Sequence, residues 1–133
     1  MAESKVLDAS AILAYFLGAS GCEKMKQVFG EAVEHSASLF VSAVNWGEVL
    51  YTMEWRFGSG KKDEAQALME QLNLELVPAG KEAIWQASHL KANHRLPYAD
   101  CFAAALAMEK KAVLVTADKD FKVVEDLIKI LWI

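Results

Sequence analysis

The chain is poor in the residues that break or staple a fold. Its 133 residues include two prolines, seven glycines and two cysteines. Two isolated cysteines, Cys22 and Cys101, exclude a disulfide framework and a cysteine-rich zinc site. An apolar content of 54% excludes intrinsic disorder and low-complexity sequence. Long hydrophobic runs are missing too. The run Cys101–Met108 is eight residues, whereas a membrane-spanning helix needs about 20, so the chain reads as soluble, with no membrane partner. An excess of positive charge is also absent: 14 Lys and Arg face 18 Asp and Glu, for a formal charge of −4. Sequence-independent wrapping of nucleic acid calls for the opposite sign. Neither a dinucleotide-binding G-x-G-x-x-G nor a phosphate loop G-x-x-x-x-G-K-[ST] occurs. Ahead of the apolar stretch Ser10–Ser20 stand Glu3 and Asp8, where a secretory signal would be basic, so the whole chain is read as mature, reduced and cytoplasmic.

What is present is an alternation of short apolar runs and helical patterns, at a length that suits one domain over residues 1–133. Strand-sized runs lie at Lys5–Asp8, Leu39–Ser42, Leu74–Val77, Ala112–Thr116 and Ile128–Ile133. Between them, helices are predicted over Ser10–Leu17, Cys22–His35, Ala43–Phe57, Lys61–Leu72, Lys81–His94 and Tyr98–Lys110, with a turn at Asp118–Phe121. The inward faces include Met25, Val28, Phe29 and Ala32 in one helix and Ala65, Leu68, Met69 and Leu72 in another. The runs are β-branched and lack strict alternation, as in strands covered on both faces. The pattern predicts an α/β/α sandwich with a mainly parallel sheet of about five strands. In such sheets ligands gather at the carboxyl ends of the strands.

Four acids belong at that edge. Asp8 closes the first strand, Glu48 lies about two turns into the helix after Leu39–Ser42, Asp100 sits in the first turn after Pro97, and Asp118 follows Thr116 by two residues. Each also has an ordinary structural use. Asp8 can cap a helix, Asp100 suits a helix N-terminus, and Asp118 can open a turn. Glu48, flanked by Trp46, Val49 and Leu50, is the hardest to explain that way. Four carboxylates in one pocket repel one another unless a cation compensates, and oxygen ligands suit Mg²⁺ or Mn²⁺.

The motifs Val6-Leu7-Asp8-Ala9-Ser10-Ala11, Asn45-Trp46-Gly47-Glu48-Val49, Leu96-Pro97-Tyr98-Ala99-Asp100-Cys101-Phe102 and Leu114-Val115-Thr116-Ala117-Asp118-Lys119-Asp120-Phe121, in this order and spacing, resemble the PIN-domain ribonucleases, and most closely the VapC-type toxins of toxin–antitoxin pairs. The resemblance implies an endoribonuclease that cleaves single-stranded RNA through metal-activated water. Asp8, Glu48, Asp100 and Asp118 would be catalytic residues and ligands of one or two Mg²⁺ or Mn²⁺ ions. Ser10 and Thr116 would support them. Asp120 is either a fifth, outer acid or a solvated charge, and the second reading is preferred. The resemblance also implies a VapB-like antitoxin partner and a homodimer.

Setting aside the four acids leaves the rest of the chain neutral, so the acidic balance does not oppose an RNA substrate. Candidate phosphate contacts are Arg56, Lys61, Lys62, Lys91 and Arg95. The aromatics around Trp46, Trp55 and Phe57 are read first as core and then, following the family, as an exposed groove for an antitoxin helix. His35, His89 and His94 read as structural or surface residues, and Cys101 as a small apolar core residue. Two other readings stay open. One is a PIN-like module that binds RNA or protein without cleaving. The other is a phosphatase of the haloacid-dehalogenase type, which also opens on a strand and an aspartate but needs a second acid where Ser10 stands.

Overall fold

The structure, a computed structural model, describes residues 3–133. In chain order the elements are β1 (Lys5–Leu7), α1 (Ala9–Phe16), α2 (Cys22–His35), β2 (Leu39–Ser42), α3 (Ala43–Phe57), α4 (Ser59–Gln71), β3 (Glu75–Val77), α5 (Lys81–Asn93), α6 (Tyr98–Lys110), β4 (Val113–Thr116) and β5 (Ile130–Trp132). A 3-10 helix, Lys119–Val124, fills the place of the expected Asp118–Phe121 turn. The strands form one sheet in the order β3-β2-β1-β4-β5. Every pairing is parallel, β4 with β5 included, so the sheet is parallel throughout rather than mainly so.

Alternating strand residues feed two cores. Val6, Phe40 and Leu114 face one layer and pack with Leu90, Phe102 and Leu106 of α5 and α6. Leu7, Leu39, Val41 and Val115 face the other and pack with Ile12, Met25, Val49 and Met69 of α1 to α4. The result is the expected α/β/α sandwich. Residues 100–107 of α6 are buried without a break. A helix apolar all round belongs inside the fold, and Ala103, Ala104, Ala105 and Ala107 let this one lie close to the sheet. Gly21 opens α2 at φ 96°, in the left-handed region. A Cβ there would come within 3.1 Å of the Ile133 backbone, so the position calls for glycine twice over.

The sequence misjudged some faces. Leu68 is exposed on α4, and Ala32 and Leu72 are only half-buried. Trp46 is 8% exposed, as the core reading has it and against the exposed groove reading. Its indole Nε1–H donates to Gln66 Oε1 at 2.8 Å, which ties α3 to α4. Trp46 shares one helical stripe with the buried Val49 and Met53, at i, i+3 and i+7, and α4 covers that stripe. Trp55 (84%) and Phe57 (53%) are exposed as expected. No helix of the described residues is long and apolar enough to cross a membrane.

A candidate metal centre at the carboxyl edge of the sheet

Strand order creates the site. The chain runs outward from β1 to β2 and β3, then returns to lay β4 on the other side of β1. At such a switch point the loops after β1 and β4 leave in different directions and open a crevice. Asp8 and Asp118 are the residues these loops supply, and α3 and α6 bring Glu48 and Asp100.

Asp8 is both the N-cap of α1 and the buried anchor of the crevice, at 2% exposed. Its Oδ1 accepts from Ala11 N at 2.9 Å and from Ser10 Oγ at 2.8 Å. Its Oδ2 accepts from Thr116 Oγ1 at 2.6 Å. Thr116 Oγ1 in turn accepts from Asp118 N, and Ser10 Oγ accepts from Ala117 N, each at 2.9 Å. Ser10 and Thr116 therefore stitch the end of β1 to the end of β4. Burial raises the Asp8 carboxyl to about 6; the hydrogen bonds from Thr116, Ala11 and Ser10 oppose that rise, and the charge of Asp118 adds to it.

Asp118 caps the 3-10 helix, where its Oδ1 accepts from Asp120 N at 2.9 Å. Glu48 is half-buried. Its Oε1 accepts from Asn45 Nδ2 at 2.7 Å, and the same amide nitrogen donates to Ala99 O at 3.2 Å. Burial raises the Glu48 carboxyl, the Asn45 bond opposes this, and the charge of Asp118 reinforces it.

Asp100 is the most perturbed group. It is 8% exposed, and its Oδ2 has no hydrogen-bond partner among the described residues. Burial first, then the charges of Asp118, Asp8 and Glu48, push its carboxyl to about 8. All four expected acids thus bear on one another. Asp120 joins them differently from the preferred reading. It is exposed, yet one oxygen each of Asp100, Asp118 and Asp120 lie within 4.8 Å of one another. A turn of 3-10 helix folds Asp120 back over Asp118, which a plain loop reading of Lys119–Phe121 does not anticipate. Asn45 escaped the sequence reading as well. Its only signal was an amide three residues before Glu48 on a helix with an apolar face.

This donor set suits a hard divalent cation. The groups are carboxylate oxygens without cysteine or histidine, one buried oxygen is unpaired, and the mutual repulsion asks for positive charge. The expected phosphate contacts are unequal. Lys61 pairs with Glu64 and Lys62 with Glu54, while Lys91 donates to Leu96 O. Arg56 and Arg95 are exposed, and among the described residues neither joins an ion pair.

Solved structures share the architecture. VapC20 of Mycobacterium tuberculosis, a sarcin–ricin-loop-cleaving toxin, superposes with a TM-score of 0.73 at 17% identity, over 90% of this chain and 93% of that one. VapBC2 of Rickettsia felis, bound to a fragment of its promoter DNA, gives 0.76 at 12% identity, over 96% of each chain. DNA-bound VapBC of Salmonella typhimurium gives 0.70 at 18% identity, over 98% of each chain. At these identities the likeness is one of fold. No curated protein sequence matches the chain. The family model of the PIN domain matches residues 5–127, which takes in β1, β4 and all of the acids at their ends. The chain belongs to the PIN-domain family.

Proposed function

We propose that this PIN domain is an endoribonuclease that hydrolyses single-stranded RNA with Mg²⁺ or Mn²⁺, and that it is the toxin of a toxin–antitoxin pair. The observation that carries the reading is the buried, unpaired Oδ2 of Asp100, set among Asp8, Glu48, Asp118 and Asp120 where β1 and β4 end. Asp8, Glu48, Asp100 and Asp118 are assigned as ligands, with Asp120 at the mouth. Ser10 and Thr116 hold Asp8 and the Asp118 backbone in place. A cation bound there would supply charge against the carboxylates, polarise the scissile phosphate and acidify water. Glu48 spends Oε1 on Asn45 and keeps Oε2 for the cation; the water acidified there would lose its proton to solvent and attack phosphorus in line as the 3′ oxygen leaves. Arg95 lies five residues before Asp100, just ahead of α6, and steers the RNA backbone to the crevice.

The partner reading is supported by the VapBC neighbours, which are named as pairs. A groove of about 290 Å³ between α1, α3 and α4, lined by Phe16, Leu17, Met53, Phe57 and Leu68, would take an apolar helix face of an antitoxin.

Cleavage of single-stranded RNA tests the reading. Activity is expected to vanish in EDTA, to return with Mn²⁺ or Mg²⁺, and to be lost in Asp8→Asn and Asp100→Asn proteins that still fold. Full cleavage after exhaustive chelation would overturn the mechanism.

A further inference from the structure

Asn45 is fully buried in the first turn of α3. Nothing in the packing of that helix asks for an amide there. Trp46, Val49 and Met53 around it are apolar core. Asparagine is a poor helix former, and burying an amide is costly unless its hydrogen bonds are made. Here they are made only in part, since Oδ1 has no partner among the described residues. An apolar side chain would make no such demand, and such exceptions call for a reason.

The two bonds that Asn45 does make give that reason. Its Nδ2 reaches Glu48 Oε1 on its own helix at 2.7 Å and Ala99 O at 3.2 Å, one residue before Asp100. Both partners are acceptors, so the orientation of the amide is fixed. Glu48 is a long, half-exposed side chain whose charge and that of Asp100 repel. Left alone, it would swing out to water. We propose that Asn45 is a positioning residue of the metal site: one buried amide group ties the Glu48 carboxylate to the first turn of α6, so that the ligands Glu48 and Asp100 are held at a set separation before a cation arrives. This rests on the metal-site reading above. It places the ordering cost of Glu48 in folding rather than in ion binding.

The test is Mn²⁺ affinity, measured by calorimetry on RNA-free protein, for wild type, Asn45→Leu, Glu48→Gln and the double variant, with melting curves in chelator alongside. Asn45→Leu is expected to weaken Mn²⁺ binding roughly 10- to 100-fold, the usual effect of losing a group that orients a ligand. In the Glu48→Gln background the same substitution is expected to change affinity by less than about twofold, because its partner carboxylate is gone. If Asn45→Leu fails to fold, Asn45→Ala, which deletes the amide and leaves space, carries the same expectation. A variant that melts lower yet binds Mn²⁺ as wild type does would make Asn45 purely structural and overturn the inference. So would effects that multiply in the double variant. Wild-type protein that binds no Mn²⁺ would instead bring down the metal-site reading, and the inference with it.

Discussion

Replacing Asp100 by asparagine is expected to make the metal-free protein more stable while abolishing its activity. In the folded chain the Asp100 carboxyl is raised from 3.8 to about 8, by burial and by Asp118, Asp8 and Glu48. An acid raised in this way binds its proton more tightly folded than unfolded. The folded state is therefore favoured at low pH and loses stability as pH climbs from about 4, with the loss complete above about 8. Each unit of that window is worth up to about 1.4 kcal/mol, so the whole of it sets a ceiling near 6 kcal/mol. The repulsion is shared among several carboxylates, and about half of the ceiling, roughly 3 kcal/mol, is a working figure. Asparagine keeps the shape, never ionises, and can donate to Asp118 as the protonated acid does. For a domain of this size the gain corresponds to a rise in melting temperature on the order of 10 °C. Thermal melts in EDTA from pH 4.5 to 8.5 measure it. The gap between variant and wild type should be small at the acid end and widen steadily with pH. Excess Mn²⁺ should reverse the order, since only wild type gains from binding. A gap that is flat with pH, or a variant that melts at or below wild type at pH 8.5, would refute the reasoning.

Thr116→Val keeps the shape of β4 but removes the hydroxyl that donates to Asp8 Oδ2 and accepts from Asp118 N. It should cost about 1–3 kcal/mol. The Thr116 bond favours ionised Asp8, so the cost should grow as pH rises past about 6, and a pH-independent loss in melts over the same range would contradict this. Phe57 is 53% exposed at the end of α3 and lines the groove between α1, α3 and α4, so Phe57→Ala should leave RNA cleavage near wild type. It should still weaken co-purification with the antitoxin about tenfold or more, and an unchanged complex would count against that groove. Expression of the protein alone should arrest growth, and co-expression of the antitoxin should restore it. Light scattering should report twice the 14.7 kDa chain mass at micromolar concentration, given exposed Val33, Tyr51, Trp55 and Trp85; a monomer throughout would remove the dimer from the reading.

The sequence by itself determined what is local. Strand-sized runs, helical periods and breaks at Gly58 and Pro78 are properties of neighbouring residues, and the elements fall within one to three residues of the expected bounds. The helix-capping use of Asp8 was legible for the same reason, because a cap needs only the next three residues. That Asp8 also lies beside other acids was legible only as one of four acids bound for a common edge. Tertiary structure decided the rest. Ser10 and Thr116 meet across 106 residues because β4 returns to the far side of β1, and no local pattern encodes that strand order. Nine residues apart, Trp46 and Trp55 stand on opposite faces of α3, and packing decides that α4 covers the face of Trp46 and leaves Trp55 in water. Asp120 reaches the acid cluster because the 3-10 helix tightens the turn. Asn45 acquires its partners only when α6 brings Ala99 beside α3. Where a side chain's environment is built by residues far along the chain, periodicity is silent and only packing speaks.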